Sequence, residues 1–182
     1  SLRSELDNKY TVIFHNYGLQ LEHVQKIYEK YKKKPRVVRN APPVAGNIIW
    51  ARQLTRKIED PMKKFQQIPA IMKSKESKKI IKNFNKVMKA LFKFESLWVD
   101  EWHKRIRVAK EGLEATLLVK SNDKYHVNFD REIFQLLRET KWLMRMGADI
   151  PESARIVLLQ EQKFKHYYNL LAHLIHEYEH LC

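Results

Sequence analysis

The 182-residue sequence has little cysteine and glycine and no long apolar run, and each scarcity excludes a kind of site. Its one cysteine, Cys182, cannot form an internal disulfide or a cysteine-rich metal site, which favours a reducing compartment. The four glycines lie far apart, so the chain has neither a G-x-x-x-x-G-K-[ST] phosphate loop nor a G-x-G-x-x-G dinucleotide turn. No stretch approaches the roughly 18 apolar residues that a membrane span needs, and no membrane partner is expected.

Positive charge, by contrast, is abundant and unevenly placed. The chain has 35 Lys and Arg against 21 Asp and Glu, a formal net charge of +14. Residues 1–93 contain 22 basic and 7 acidic side chains, whereas residues 94–182 contain 13 and 14. The whole excess therefore lies in the first half, where it could attract nucleic acid, another polyanion or an acidic protein surface.

Apolar residues recur at helical spacing along most of the chain, and hydrophobic residues make up 44% of it, enough for a core. We therefore predict a mainly all-α fold, an elongated bundle of long helices with one short β-hairpin near 116–129. The predicted segments are a first helix (1–34), a proline-containing linker (35–43), kinked and long helices (44–114), the hairpin (115–129) and C-terminal helices (130–182).

The helix predictions are based on stripes of apolar side chains. The first stripe has 4-3-4-3-4-3 spacing and consists of Tyr10, Phe14, Tyr17, Leu21, Val24, Tyr28 and Tyr31. In the next helix, Pro61 predicts a kink or a restart because proline removes one backbone donor. The longest helix runs from about Ser74 to Gly112, which at 1.5 Å per residue makes it roughly 55–60 Å long.

The hairpin interrupts these helices. Residues 116–119 and 125–129 are β-prone, and the turn-like stretch 121–124 separates them. After it, Asp130 suits a helix N-cap, and Phe129 with Phe134 has the spacing of a hydrophobic staple. Gly147 is predicted to end that helix in the C′ position, and Pro151 to stand in the first turn of the next.

Lysines recur along one face of the longest predicted helix. Their spacing is 4-3-4-3-4, and the members are Lys75, Lys79, Lys82, Lys86, Lys89 and Lys93. This pattern fits the solvated side of an amphipathic bundle helix, or a face that meets an acidic partner. The face lacks the arginines and interleaved aromatic residues that read or stack bases, so nucleic acid is not expected as a partner.

One short motif has catalytic associations. Residues His176 to His180 spell H-E-x-x-H, which on a helix places two imidazoles on one face with a glutamate that could activate zinc-bound water. His173 is near the same face, but a third downstream ligand and a substrate cleft are missing from the pattern. A solvated polar helix face is the favoured interpretation, and we predict no metal site.

No other pattern indicates catalysis. The tryptophans Trp98, Trp102 and Trp142 could line a ligand pocket, but aromatic residues at helical spacing are far more often packing. No Ser/His/Asp or Cys/His pairing stands out, and no pair of carboxylates lies in an apolar setting. We therefore predict neither catalytic nor cofactor-binding residues.

Two ordered motifs point to a family. Residues 40–54 read N-A-P-P-V-A-G-N-I-I-W-A-R-Q-L, and residues 56–62 follow with R-K-I-E-D-P-M. This segment resembles a hallmark of dynein heavy-chain tails, P-P-x-A-G-x-I-x-W-x-R-x-L and then I-x-x-P-M. Further on, V-N-F-D at 127–130, L-L-R-E-T-K-W-L at 136–143 and I-P-E at 150–152 are similar to a second stretch of those tails. The resemblance covers roughly residues 10–181, and its wording is nearest to axonemal outer-arm heavy chains.

The resemblance implies a fragment of a much larger ATP-driven microtubule motor, in keeping with the absent starting Met and phosphate loop. ATP and magnesium are expected only in the downstream motor of the parent chain. Tail segments of this family are helical bundles, so the implied partners are other dynein heavy chains, intermediate and light chains, and the axonemal doublet microtubule through the assembled complex. The implied location is the cytoplasm and cytoskeleton, in the axoneme of a cilium or flagellum.

Within this frame, several residues are expected to act as structural anchors. Pro42 and Pro43 would fix the chain direction at a corner, Gly46 would allow a helix to approach closely, and Trp50 would anchor the packing. The remaining expected anchors are Leu54, Phe84, Leu91, Trp98, Phe129, Asp130, Trp142 and Tyr168.

The sequence thus leaves two main functional hypotheses. The first is a non-catalytic scaffold segment of an axonemal dynein heavy-chain tail, which packs and attaches subunits. The second is a basic helical module that binds nucleic acid or another polyanion through Lys75–Lys93. An H-E-x-x-H hydrolase is a third, weaker hypothesis.

Overall fold

The computed structural model describes residues 2–113, 118–127 and 132–181. In chain order the elements are α1 (Leu2–Tyr31), α2 (Pro43–Gln66), α3 (Pro69–Met72), α4 (Lys75–Leu113), β1 (Leu118–Ser121), β2 (Lys124–Val127), α5 (Glu132–Arg145), α6 (Glu152–Leu159) and α7 (Glu161–Leu181). The prediction of a mainly α-helical fold with one small hairpin is confirmed. None of the helices in these ranges is both long and apolar enough to cross a membrane.

Packing divides the chain into two units. The first comprises Ser1–Ala41 and Gly46–Trp98, and the second comprises Pro42–Ala45 and Val99–Cys182. The single-segment boundaries predicted from sequence stay a prediction.

The core of the first unit forms where the apolar stripe of α1 meets α2, α3 and α4. Phe14, Tyr17, Leu21 and Val24 are buried, and the stripe residues nearer the two ends of α1 are half-buried. The first helix ends at Tyr31 rather than near residue 34, although Lys32 N–H still donates to the Tyr28 carbonyl. The stripe therefore becomes the buried face that its spacing predicted.

α2 does not restart at Pro61 but continues to Gln66. Proline leaves the carbonyl four residues earlier, that of Lys57, without its usual N–H donor. The side-chain amide of Gln20 donates to this oxygen at 2.8 Å, and the Tyr17 hydroxyl donates to the next carbonyl, that of Ile58, at 2.6 Å. These side-chain donors from α1 explain how the helix tolerates an internal proline.

α4 has 39 residues, so at 1.5 Å per residue it is about 58 Å long. Ser74 stands directly before its first residue. The Ser74 hydroxyl oxygen accepts from Ser77 N–H at 3.1 Å and donates to the Ile71 carbonyl at 3.0 Å. Ser74 is therefore the N-cap, and the predicted helix from Ser74 to Gly112 is confirmed to within one or two residues.

The hairpin in the second unit is tighter than the one predicted. β1 and β2 pair antiparallel from Leu118 with Val127 to Ser121 with Lys124. Asn122 and Asp123 form the turn at φ 53° and 61°, which is the conformation of a two-residue type I′ turn. Since both turn residues adopt left-handed backbone angles, residues 121 and 124 pair instead of belonging to the turn. The outer predicted strand positions 116, 117, 128 and 129 lie outside the described residues.

The ends of α5 and α6 follow local rules. Gly147 has φ +70°, Ala148 N–H donates to the Leu143 carbonyl at 3.0 Å, and Gly147 N–H donates to the Met144 carbonyl at 3.0 Å. These two bonds make the left-handed helix termination predicted for Gly147. Pro151 takes an extended conformation as the N-cap of α6, one residue before the first turn predicted for it.

Candidate functional site

The first turn of α2 is capped by a carboxylate from far along the chain. Pro43 is the first residue of the helix, and the N–H groups of Val44 and Ala45 follow it with no intrahelical acceptor. Both donate to Glu139 of α5, to Oε1 and Oε2 respectively, at 2.9 Å each. Glu139 is only 1% exposed, so one carboxylate satisfies two buried donors within the second unit.

Burial dominates the electrostatics of Glu139. Desolvation raises the pKa of its carboxyl above the ordinary glutamate value, while the two N–H donors and the charges of Arg105 and Arg138 oppose that shift. The partial positive charge at the helix N-terminus stabilises the ionised carboxylate in the same way. Glu139 thus places a buried carboxyl group at a helix end, with both oxygens occupied by backbone donors.

Sequence reasoning did not assign Glu139 a role, although the motif R-E-T-K contains it. A signal was present on the other side of the contact. Pro42 precedes the helix where a capping Ser, Thr, Asp or Asn would usually stand, so the first-turn N–H groups need an acceptor from elsewhere.

The corner residues have different surroundings. Pro42 is buried and Pro43 is exposed. A Cβ on Gly46 would lie 3.1 Å from Cγ1 of Val37 and 3.4 Å from Cβ of Ala41, both in the linker before α2. Gly46 therefore allows the linker, rather than another helix, to approach α2.

The expected anchors of the first unit lie together around Trp50. The Trp50 ring is 5.4 Å from the ring of Phe94 and 6.3 Å from that of Tyr28, and Phe94 is 6.3 Å from Trp98. Leu54 and Leu91 are buried in the same core, where Phe84 and Trp98 are half-buried. Arg52 also reaches Glu95 here, with Nη2 2.6 Å and Nε 3.0 Å from Oε1. The aromatic residues make packing contacts of the expected kind, and their anchoring role stays a prediction.

The expected anchors of the second unit are more peripheral. Trp142 and Tyr168 are half-buried, and the Tyr168 ring lies 5.9 Å from Phe134. Phe129 and Asp130, with the cap and staple predicted for them, lie outside the described residues. The fully buried tryptophan is instead Trp102, whose indole Nε1 has no hydrogen-bond partner among the residues that the structure describes.

Glu161, the first residue of α7, forms ion pairs with two lysines. Its Oε2 lies 2.6 Å from Nζ of Lys141 on α5, and its Oε1 lies 2.6 Å from Nζ of Lys165. The hydrogen bonds from Lys141 and Lys165 lower the pKa of Glu161, against an opposing desolvation. This three-residue cluster links α5 to α7, and it was not foreseen because Lys141 is distant in sequence from Glu161 and Lys165.

The lysine row of α4 is exposed along its whole length. Lys75, Lys79, Lys82, Lys86, Lys89 and Lys93 all face solvent, and within the described part of the chain none of them forms an ion pair. On the opposite side of the helix, Ile80, Val87, Leu91 and Phe94 are buried in the core. The packing of α4 therefore fixes the direction in which the row points.

The H-E-x-x-H residues lie on α7 beside the hairpin. The two Nε2 atoms of His176 and His180 are 3.1 Å apart, and an open depression next to them is lined by Asp123 and Tyr125. Across residues 2–113, 118–127 and 132–181, no three His, Cys, Asp or Glu side chains come together as a metal site. The pair lacks the third ligand that would leave a zinc-bound water positioned for catalysis.

The geometry so far is that of packing, capping and exposed faces, and comparison with known proteins agrees with it. The family described as "Dynein heavy chain, N-terminal region 1" matches residues 1–182, the whole chain. The chain belongs to the dynein heavy chains.

The relatives of this chain indicate the class of dynein heavy chain to which it is most similar. It is 54% identical over 183 residues to the flagellar outer-arm dynein gamma chain of Chlamydomonas reinhardtii, which covers 100% of this chain and 4% of the relative. It is 36% identical over 176 residues to axonemal heavy chain 5 of Mus musculus, covering 96% of this chain and 4% of that protein. It is also 35% identical over 180 residues to axonemal heavy chain 8 of Homo sapiens, an alignment that covers 98% of this chain and 4% of that protein.

These similarities confirm the axonemal type suggested by the two motifs, and place the chain in the axoneme of a cilium or flagellum. The chain spans only about 4% of the length of the relatives that it matches. What the rest of such a protein does is therefore a separate question from what this region does.

Proposed function

We propose that this chain is a non-catalytic scaffold segment in the tail of an axonemal dynein heavy chain. It packs against and attaches heavy, intermediate and light chains of a microtubule motor complex, which reaches the axonemal doublet as an assembly. ATP and magnesium act only in the downstream motor of the parent chain. The family membership and the outer-arm and axonemal relatives support this proposal.

The observation that carries the proposal is a stripe of exposed large side chains on α7. Its spacing is 3-4-4-3, so its members share one helix face: Tyr167, Leu170, Leu174, Tyr178 and Leu181. Leu174 is 55% exposed and Leu181 is 85% exposed. A contiguous apolar stripe of this kind is typical of a surface that another protein covers.

The proposal is tested in a ciliated cell that expresses the parent heavy chain with Leu170→Asp and Leu174→Asp. A matched control carries Val12→Asp and Leu19→Asp, which place the same charges at exposed apolar positions of α1. The amounts of heavy, intermediate and light chains that co-purify from axonemes are measured. We expect the α7 variant to lose subunits while the control retains them.

Unchanged subunit composition in the α7 variant would contradict the proposal. Circular dichroism of the 182-residue chain with the same substitutions checks that the helices persist. Loss of helix there would mean that the stripe serves folding rather than attachment, and this result would also count against the proposal.

The alternative, a nucleic-acid- or polyanion-binding module, is favoured only by the exposed lysine row of α4. Comparing how tightly this row binds acidic helical peptides, DNA and lipid vesicles separates that function from a scaffold role.

A further inference from the structure

The lysine row of α4 is straight, and this limits the kinds of partner surface that can match it. The five steps between the six lysines are 4, 3, 4, 3 and 4 residues, which average 3.6 residues and so equal the α-helical period. The row therefore runs parallel to the helix axis instead of winding around it. It places one ammonium group about every 5.4 Å over a length of about 27 Å.

The charge of the row is not balanced nearby. Residues 73–93 contain eight lysines and one acidic residue, Glu76. All six row lysines are exposed, and none pairs with a carboxylate in the described part of the chain. Like charges one helical turn apart repel one another, so an intact row leaves electrostatic free energy that an opposing row of negative charge would recover.

The row ends at an apolar position. Leu97, four residues beyond Lys93 and on the same face, is 59% exposed. A protein partner can bury such side chains, while a simple counterion layer gains nothing from them.

We propose that this face binds an acidic helix of a partner protein, one that carries a carboxylate at each turn and an apolar residue at the end that meets Leu97. A straight row with a pitch of one helical turn matches another helix packed alongside it. A duplex backbone curves away from such a row, and the row contains no arginine for phosphate or base recognition. A membrane surface fits less well because the apolar face of α4 is already buried in the core.

This inference deepens the proposed scaffold function, since it names the chemistry of one attachment surface. It concerns a different helix from the α7 stripe. The two proposals therefore fail separately: subunit loss from α7 variants tests the scaffold role, and binding to the α4 row tests the acidic-helix partner.

The test uses the 182-residue chain and two alanine-rich helical peptides with the same composition. In one peptide six glutamates follow 4-3-4-3-4 spacing, and in the other they are spread around the helix. Fluorescence anisotropy at physiological ionic strength measures their binding, with single-stranded DNA, duplex DNA and phosphatidylserine vesicles as further probes. We expect the row peptide to bind about tenfold more tightly than the dispersed one, and more tightly than any of the other probes.

Variants assign the binding to the row. Lys79→Glu, Lys86→Glu and Lys93→Glu together leave the row with three positive and three negative charges, and should abolish binding of the row peptide. A control with Lys9→Glu, Lys26→Glu and Lys64→Glu changes the net charge equally at exposed positions outside the row, and should leave binding within about twofold. Lys→Gln at the same three row positions halves the charge of the row without adding carboxylates, and replaces the Glu variant if that variant folds poorly.

Equal binding of the two peptides, or equal loss in row and control variants, would overturn the proposal, because net charge alone would then explain it. Tighter binding to DNA or to vesicles than to the row peptide would overturn it in favour of a polyanion-binding face.

Discussion

The side-chain amide of Gln20 donates a 2.8 Å hydrogen bond to the carbonyl oxygen of Lys57, the oxygen that Pro61 deprives of its helical donor. The next carbonyl, that of Ile58, accepts a 2.6 Å hydrogen bond from the Tyr17 hydroxyl. One face of α1 therefore supplies two donors to the section of α2 that the proline opens. These two hydrogen bonds cross between two helices of the first unit and tie α1 to α2 beside the proline.

Gln20 and Pro61 are expected to be energetically coupled. Gln20→Leu should lower the free energy of unfolding by about 0.5–1.5 kcal/mol, toward the low end because the bond is exposed to water. In a Pro61→Ala background the residue at 61 donates its own N–H to Lys57, and Gln20→Leu should then cost almost nothing. Urea unfolding of the four proteins of this double-mutant cycle measures the coupling, and strict additivity would show that the two residues act independently.

Tyr17→Phe tests the second donor, which is buried. Losing the hydroxyl removes one buried hydrogen bond to the Ile58 carbonyl and should cost about 0.5–1.5 kcal/mol. Burial also raises the pKa of Tyr17 above its ordinary value of 10.0. Its contribution to stability is therefore complete below pH 10 and declines as the pH rises further, because the unfolded chain ionises first. Unfolding curves at increasing alkaline pH should show a loss in the wild type that exceeds the loss in Tyr17→Phe.

Locally encoded features were predictable from the sequence. The seven-residue stripe of α1, the Ser74 start of α4 and the Gly147 termination of α5 all depend on spacing or on one backbone conformation, and the structure has each of them. The hairpin was located correctly, although its turn is Asn122–Asp123 alone, since the left-handed conformation of both residues could not be read from composition.

Features that depend on distant partners were not predictable. Glu139 accepts hydrogen bonds from N–H groups that lie 94 and 95 residues earlier in the sequence. Nothing in the sequence near Pro43 indicates which acidic residue caps the helix. Likewise, Pro61 indicates a weakened helix but not the donors that compensate for it. Of the expected anchors, Trp50 and Leu91 proved buried and Trp142 only half-buried, because a stripe defines a face but not how much of it a neighbour covers.

Removing the carboxylate of Glu139 should be costly, because both of its oxygens are occupied by buried donors. Glu139→Ala leaves the N–H groups of Val44 and Ala45 without an acceptor, and should lower the free energy of unfolding by about 2–4 kcal/mol. Glu139→Gln keeps one acceptor and should cost less. Glu177→Ala, which removes an exposed carboxylate from α7 of the same unit, is the control and should change the stability by less than about 0.5 kcal/mol. Urea unfolding compares the three variants, and similar costs for Glu139→Ala and the control would contradict a capping role.

The pH dependence of Glu139 has a defined sign. Burial raises the pKa of this carboxyl in the folded chain, so the folded state holds its proton more strongly than the unfolded state. The stability that Glu139 gains from this stronger proton binding is present below the ordinary glutamate pKa of 4.5, and it is lost as the pH rises through the raised pKa of the folded chain. The difference in stability between wild type and Glu139→Gln should therefore move against the wild type as the pH increases above 4.5, as denaturant unfolding at a series of pH values would measure. A difference that moves the other way would show that the two N–H donors outweigh burial.

Glu161 should behave in the opposite sense. Hydrogen bonds from Lys141 and Lys165 lower the pKa of Glu161, so its contribution is present above the ordinary value of 4.5 and is lost as the pH falls through the lowered value. At neutral pH, Glu161→Gln should cost about 1–3 kcal/mol, because the site is largely buried and both lysines lose a charged partner. The exposed pair of Lys63 and Glu59, with its atoms 3.3 Å apart, is the matched control, and Glu59→Gln should cost well under about 1 kcal/mol. Thermal unfolding at neutral and acidic pH measures both variants, and equal costs would mean that burial adds nothing to the Glu161 cluster.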